Sequence, residues 1–119
     1  MLNKPHKNLD VWKKAVDLVQ QIYDLTKIFP KNEDYSLTSQ MRRAATSVPS
    51  NIAEGAARQT KKEFMQFLHM AQGSLSELDT QIEIAKRLGY FSEDQNKKTL
   101  EIMQDVDRML SGLIKSLKK

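Results

Sequence analysis

Apolar residues recur along this chain at steps of three and four, in four blocks separated by short polar stretches. That spacing places side chains on one face of an α-helix. In the first block, residues 9–29, Trp12, Ala15, Val16, Val19, Ile22, Tyr23 and Thr26 share a face. Asn8 or Asp10 offers an N-cap, and Pro30 ends the helix by disfavouring helical geometry at the residue before it. The second block, 36–57, carries Leu37, Met41, Ala44, Ala45, Val48 and Ile52, and its alanines allow a neighbouring helix to come close. Pro49 lies inside this block and predicts a kink, with two shorter helices as the alternative. The third block, 60–88, is the most regular: Phe64, Leu68, Ala71, Leu75, Leu78, Ile82 and Ala85 form a heptad seam behind a Thr60–Glu63 capping box. Gly89 closes it in the left-handed conformation. The fourth block, 92–117, opens on a Ser92–Gln95 capping box and runs through Leu100, Met103, Val106, Leu110, Leu113 and Leu117. Links of about two to eight residues make consecutive helices antiparallel neighbours. The expected fold is all-α: one antiparallel up-down-up-down four-helix bundle over residues 1–119.

Two helices carry a second apolar row. Val11, Leu18 and Leu25 recur every seven residues on helix one. On helix four, Ile102, Val106, Met109 and Leu113 run beside a first seam of Leu100, Met103, Leu110 and Ile114. Extra apolar surface of this kind is expected to bury against another copy of the chain, giving a homo-oligomer; the alternative is that the wide stripes line a thick core. A polar line borders the apolar stripe of helix two: Gln40, Arg43, Ser47, Asn51, Glu54 and Arg58. Helix three offers Ser74, Glu77 and Gln81 on a similar border. Polar groups so placed pair or stay wet. The expectation is a structural network in which Arg43 or Arg58 meets Glu54 or Glu77, so that removing one partner costs about 3 kcal/mol; a recognition groove is the alternative.

Composition narrows the chemistry. The length of 119 residues suits one domain with one core. No cysteine is present, which excludes disulfides, thiolate zinc sites and cysteine nucleophiles. His6 and His69 are far apart, and no His or carboxylate stands three or four residues from His69. The four glycines are isolated, so no phosphate loop exists, and no Glu-x-x-His motif marks a di-metal centre. The chain is expected to be no enzyme and to hold no cofactor and no metal. It has no apolar run of the roughly 20 residues a membrane span needs, and its first residues are not those of a signal peptide. The expected address is the cytoplasm, without membrane contact.

A formal charge of +4 and a pI near 9.3 permit phosphate attraction without demanding it. Arg58, Lys61 and Lys62 cluster where helix two turns into helix three. Lys4 and Lys7 join them from the start of helix one. These five are the candidate nucleic-acid contacts. Aromatic residues make up only 7%, so base stacking is not expected to contribute.

Several short motifs, in order, carry a resemblance. They are Leu9-Asp10-Val11-Trp12-Lys13-Lys14-Ala15, Ile28-Phe29-Pro30, Gln40-Met41-Arg42-Arg43-Ala44-Ala45, Ser47-Val48-Pro49-Ser50-Asn51-Ile52-Ala53-Glu54-Gly55, Gly73-Ser74-Leu75-Ser76-Glu77 and Leu88-Gly89-Tyr90. Together, over nearly the whole chain, they resemble the 23S rRNA intervening-sequence protein family. More distantly, the chain is similar to the accessory variability determinant of diversity-generating retroelements, which binds a reverse transcriptase and nucleic acid. The resemblance implies a four-helix bundle and a homopentameric ring. With the basic surface, it points to an oligomeric scaffold that binds RNA or an RNA-handling protein. The alternative is a protein-interaction module with no nucleic-acid contact.

Overall fold

Each of the four blocks is helical, and local chemistry sets where each begins and ends. In the computed structural model, which describes residues 1–119, α1 spans Asp10–Thr26, α2 Leu37–Ala56, α3 Lys61–Arg87 and α4 Glu93–Leu117. Short 3-10 turns occupy Pro5–Asn8 and Lys31–Glu33. Ser92 and Gln95 form the complete capping box of α4, with Gln95 N–H donating to Ser92 Oγ at 3.2 Å and Ser92 N–H to Gln95 Oε1 at 2.8 Å. Thr60 caps α3 by accepting from the Glu63 N–H, but the Glu63 carboxylate takes the Thr60 hydroxyl instead of its backbone N–H. At the far end of α3, Gly89 sits at φ 77°. The N–H groups of Gly89 and Tyr90 return to the carbonyls of Lys86 and Ala85, which satisfies two otherwise open acceptors.

Two sequence expectations about α1 change. Neither Asn8 nor Asp10 caps it; Leu9 holds that position with no side-chain bond. The helix also stops at Thr26, short of residue 29. Phe29 turns inward, its ring 5.2 Å from that of Tyr90 and 6.3 Å from that of Phe91, and seals the end of the core. α2 runs as one helix through Pro49, which is buried, so the two-helix alternative does not occur.

The helices form a four-helix bundle in which α1 lies beside α2 and α4, α3 lies beside α2 and α4, and the diagonal backbones stay apart. Arg42 of early α2 meets Thr26 of late α1; Ser47 meets Ser74; Gln72 meets Ser111; Lys14 meets Asp105. Between α2 and α3, Ser47 meets Ser74 while Gly55 meets Phe64 and Phe67, so rising numbers in one helix meet falling numbers in the next, the order of antiparallel neighbours.

The core corrects the phase of α1 and α4. Val11, Leu18 and Leu25, assigned from sequence to a contact between copies, are buried inside this chain together with Ala15 and Ile22. Trp12, Val16, Val19 and Tyr23, assigned to the core, sit one helical step away and stay partly or fully exposed. The Trp and Tyr polar groups favour the wet edge of a core over its centre. On α4, Ile102 and Val106 are buried within the chain, Met109 and Leu113 pack half-buried against the core, and Leu100 is pushed out to 45% exposure. The second seam of α4 is therefore mostly core, and a charge at Val106 would disrupt the fold before any assembly.

α2 and α3 share the most extensive interface. Gly55 lies in it, and Ala44 and Ala45 are buried on the same helix. A Cβ at Gly55 would stand 2.8 Å from Phe67 Cβ and 2.9 Å from the Phe64 ring. Cβ of Phe67 cannot swing aside, because it is fixed to the backbone. Gly55→Ala is therefore expected to destabilise the protein by about 1–3 kcal/mol, the usual cost of overpacking, read as a fall in the midpoint of urea unfolding.

Candidate functional site

At one end of the bundle, α1 and α3 begin and α2 and α4 finish. Gly55 admits the Phe64 and Phe67 rings at this corner, and the Arg58 guanidinium lies over Phe67, 4.7 Å from its centroid. The ring thus holds Arg58 near the α2–α3 turn. Lys61 and Lys62 follow, exposed on the first turn of α3. The Pro5–Asn8 turn packs against α1 and α2 and brings Lys4 and Lys7 to the same end. The Lys7 ammonium donates to the Leu2 carbonyl. Lys115, Lys118 and Lys119 arrive on the last turn of α4 and beyond it, and sequence reasoning did not include them among the contacts.

None of these cations is in an ion pair. Asp10, Glu54 and Glu63 are the acids of this end, and Glu63 is occupied by the α3 cap. At the opposite end, Lys27 pairs with Asp24 at 3.5 Å and Arg87 with Glu83 at 3.0 Å. Two helix starts and two helix finishes meet at each end, so partial charges of about half a unit each nearly cancel there. The side chains set the sign, and they make one end positive.

The polar line of α2 is only partly a network. Asn51 Nδ2 donates to the Ser47 carbonyl at 2.9 Å and to Ser47 Oγ at 3.0 Å, and Ser47 Oγ lies 2.7 Å from Ser74 Oγ. Gln81 Nε2 donates to Glu77 Oε2 at 3.2 Å. Gln40, Arg43 and Glu54 are exposed and make no side-chain bond, so the expected ion pair of Arg43 or Arg58 with Glu54 or Glu77 does not form. Arg42 takes the structural role instead. Its Nε donates to Thr26 Oγ1 at 2.9 Å, and its guanidinium lies 4.5 Å from the Tyr23 centroid. The only signal was Tyr23 and Thr26 three residues apart on α1, and it needed the α1–α2 register to be read.

The end opposite the cations is tied across the chain. Glu33 accepts from the Ser36 hydroxyl and, at 2.6 Å, from the Tyr90 hydroxyl. The Ser36 bond and then the Tyr90 bond hold the Glu33 carboxyl below its ordinary value. The bond to Glu33, helped by burial, raises the Tyr90 phenol. No group of three or more His, Asp or Glu side chains comes together, and no helix is long and apolar enough to cross a membrane.

A family model described as 23S rRNA-intervening sequence protein matches residues 7–112. Among solved structures, the chain is similar to the crystal structure of a Bacteroides thetaiotaomicron VPI-5482 protein, described as being of unknown function and from the S23 ribosomal protein family. The two are 23% identical with a TM-score of 0.80, over 88% of this chain and 95% of that one. At that identity, the likeness speaks for the fold alone. No curated protein matches the chain.

Two predictions follow from the polar contacts. Arg43→Ala is expected to leave stability within about 0.5 kcal/mol of wild type. Arg42→Ala, which loses the Thr26 bond and the Tyr23 contact, is expected to cost about 1–2 kcal/mol; thermal melts of the two variants side by side check this. The Glu33–Tyr90 tie sets the second. Because the folded pKa of Glu33 is lowered, its contribution is complete above the ordinary carboxylate range and lost as pH falls through the lowered value. Because that of Tyr90 is raised, its contribution is complete below the ordinary phenol range and lost as pH rises through the raised value. Melting temperature against pH should therefore show an acid-side drop that shrinks in Glu33→Gln.

Proposed function

The chain belongs to the 23S rRNA-intervening sequence protein family, and on that premise we propose that it is a non-enzymatic helical scaffold whose basic end binds RNA. The observation that carries this reading is the collection of cations, Arg58, Lys61 and Lys62 with Lys4 and Lys7, none of them in an ion pair, at one end of the bundle. Such a surface attracts the phosphate backbone and reads little sequence. Phe67 lies under Arg58 and is not free to stack on a base.

Self-association is the second part of the proposal, and a specific row supports it. Trp12, Val16, Val19 and Tyr23 recur on α1 at heptad spacing at the edge of the core; Trp12 and Val19 pack half-buried against it, and Val16 is 41% and Tyr23 40% exposed. A row of this kind is covered most simply by the same row or an adjoining face of another copy. A five-membered ring, the assembly that the resemblance implies, would repeat the basic end and let several weak contacts hold one strand.

RNA affinity is expected to fall steeply between about 50 and 200 mM salt, with a log–log slope of about −0.7 per phosphate contacted on a single strand. The triple change of Arg58, Lys61 and Lys62 to Ala should flatten that slope and weaken binding while leaving the melting temperature near wild type. Fluorescence anisotropy with mixed-sequence RNA reads both. Absence of binding at about 50 mM salt would instead leave the chain a protein-interaction module.

Light scattering should give a mass several times 13.7 kDa at micromolar concentration. Val16→Glu, at an exposed position, should return the protein to monomer without unfolding it; a monomeric wild type would rule out self-association.

A further inference from the structure

The same packing that draws α3 onto α2 leaves α3 and α4 as the least intimate neighbouring pair. Two turns along α3 from Lys62, the space between them widens into an open cleft of about 350 Å3, lined by His69, Gln72, Ser111, Ile114, Lys115 and Lys118. A hydrogen-bond relay forms its wall. His69 Nδ1 lies 3.2 Å from Gln72 Oε1, and Gln72 Nε2 donates to Ser111 Oγ at 3.3 Å. An amide oxygen only accepts, so Nδ1 carries the proton in this contact. Ser111 Oγ accepts from Gln72, which leaves its own proton free to donate into the cleft. Lys115 and Lys118 stand one turn apart on α4, and neither is in an ion pair.

The cleft therefore offers a hydroxyl proton and two ammonium groups, and no carboxylate lines it. The end of α4 contributes a partial negative charge of about half a unit, which two lysines outweigh. Farther along the same α3–α4 groove the character reverses: Asp79 and Asp107 flank Leu75, Leu100 and Met103. An anion is favoured in the lower section and opposed in the upper one, which confines it to a single seat. The best complement to a hydroxyl and two ammonium groups lining one cleft is a tetrahedral oxyanion, whose several oxygens accept in different directions.

We infer that the α3–α4 cleft between His69 and Lys118 seats one phosphate group. This deepens the RNA reading and rests on it where the phosphate is a backbone phosphodiester; a free phosphate is the other source of the same chemistry. The seat would extend the basic end by two helical turns and anchor a strand at a defined point instead of over a diffuse charge.

The test is an NMR titration of the full chain at constant ionic strength, first with inorganic phosphate and then with an oligouridylate of about ten nucleotides. Saturable shifts are expected at the His69 ring and the Ser111 amide, with His6 of the same molecule unmoved. The double variant Lys115→Gln, Lys118→Gln should weaken the titrating ligand about tenfold and should lower the salt slope of oligonucleotide binding by about 0.7, the value for one phosphate. Both lysines are exposed, so an unchanged melting temperature shows that the variant is folded. Response to both ligands supports the seat and the RNA reading. Response to inorganic phosphate alone supports the seat and defeats the RNA reading. Oligonucleotide binding that the double variant leaves unchanged, with no saturable phosphate shift at His69, overturns the seat and leaves the RNA reading standing. Equal, unsaturable shifts at His6 and His69 also overturn it, because they report general attraction only.

Discussion

The close approach of α2 and α3 governs the rest of the molecule. It depends on a missing Cβ at Gly55. With no side chain at that point, Phe64 and Phe67 reach the α2 backbone, and the two helices close like a zipper from their shared turn. A helix drawn firmly toward one neighbour cannot press equally on the other. The α3–α4 face is correspondingly open, and the groove there exposes Leu100 and gives the lysines of late α4 a concave wall to face. Tight packing on one side and a usable cleft on the other share one cause.

The two ends of the bundle differ in kind. One is tied by Phe29 against Tyr90 and Phe91, and by the Glu33 carboxylate, which links the α1–α2 connection to the turn after α3. The other has no comparable side-chain tie and carries most of the uncompensated charge. Backbone dipoles do not produce this difference, because starts and finishes alternate around each end. It comes from where lysine and arginine stand in the sequence relative to the helix boundaries.

Much of this was legible in the sequence. The period of the apolar residues fixed the number and type of the elements. Ser92, Gln95 and Gly89 marked boundaries through chemistry that acts within a few residues. Antiparallel order was enough to gather Arg58, Lys61, Lys62, Lys4 and Lys7 at one end. What could not be read was phase. On α1 two apolar rows lie one residue apart and both have heptad spacing. The choice between them is settled by Phe29 turning into the core and by the polar groups of Trp12 and Tyr23 staying at its edge. Arg42 and Arg43 pose the same problem, since only the position of Thr26 across the interface separates them. The His69 cleft depends on a Gln72–Ser111 contact 39 residues apart, and no local pattern encodes that register.

The ring beneath Arg58 has a consequence in conformational entropy. Lys61, Lys62, Lys115 and Lys118 hold no partner, and each keeps most of its rotamer freedom until something binds. Immobilising such a chain costs up to about 2 kcal/mol, enough to cancel much of a single phosphate contact. Arg58 already lies over Phe67, and part of that freedom was lost when the chain folded. Beside those four lysines, it is the one for which a new contact is least opposed. The ring contact thus separates two kinds of cation at one end of the bundle, one partly ordered in advance and the others free.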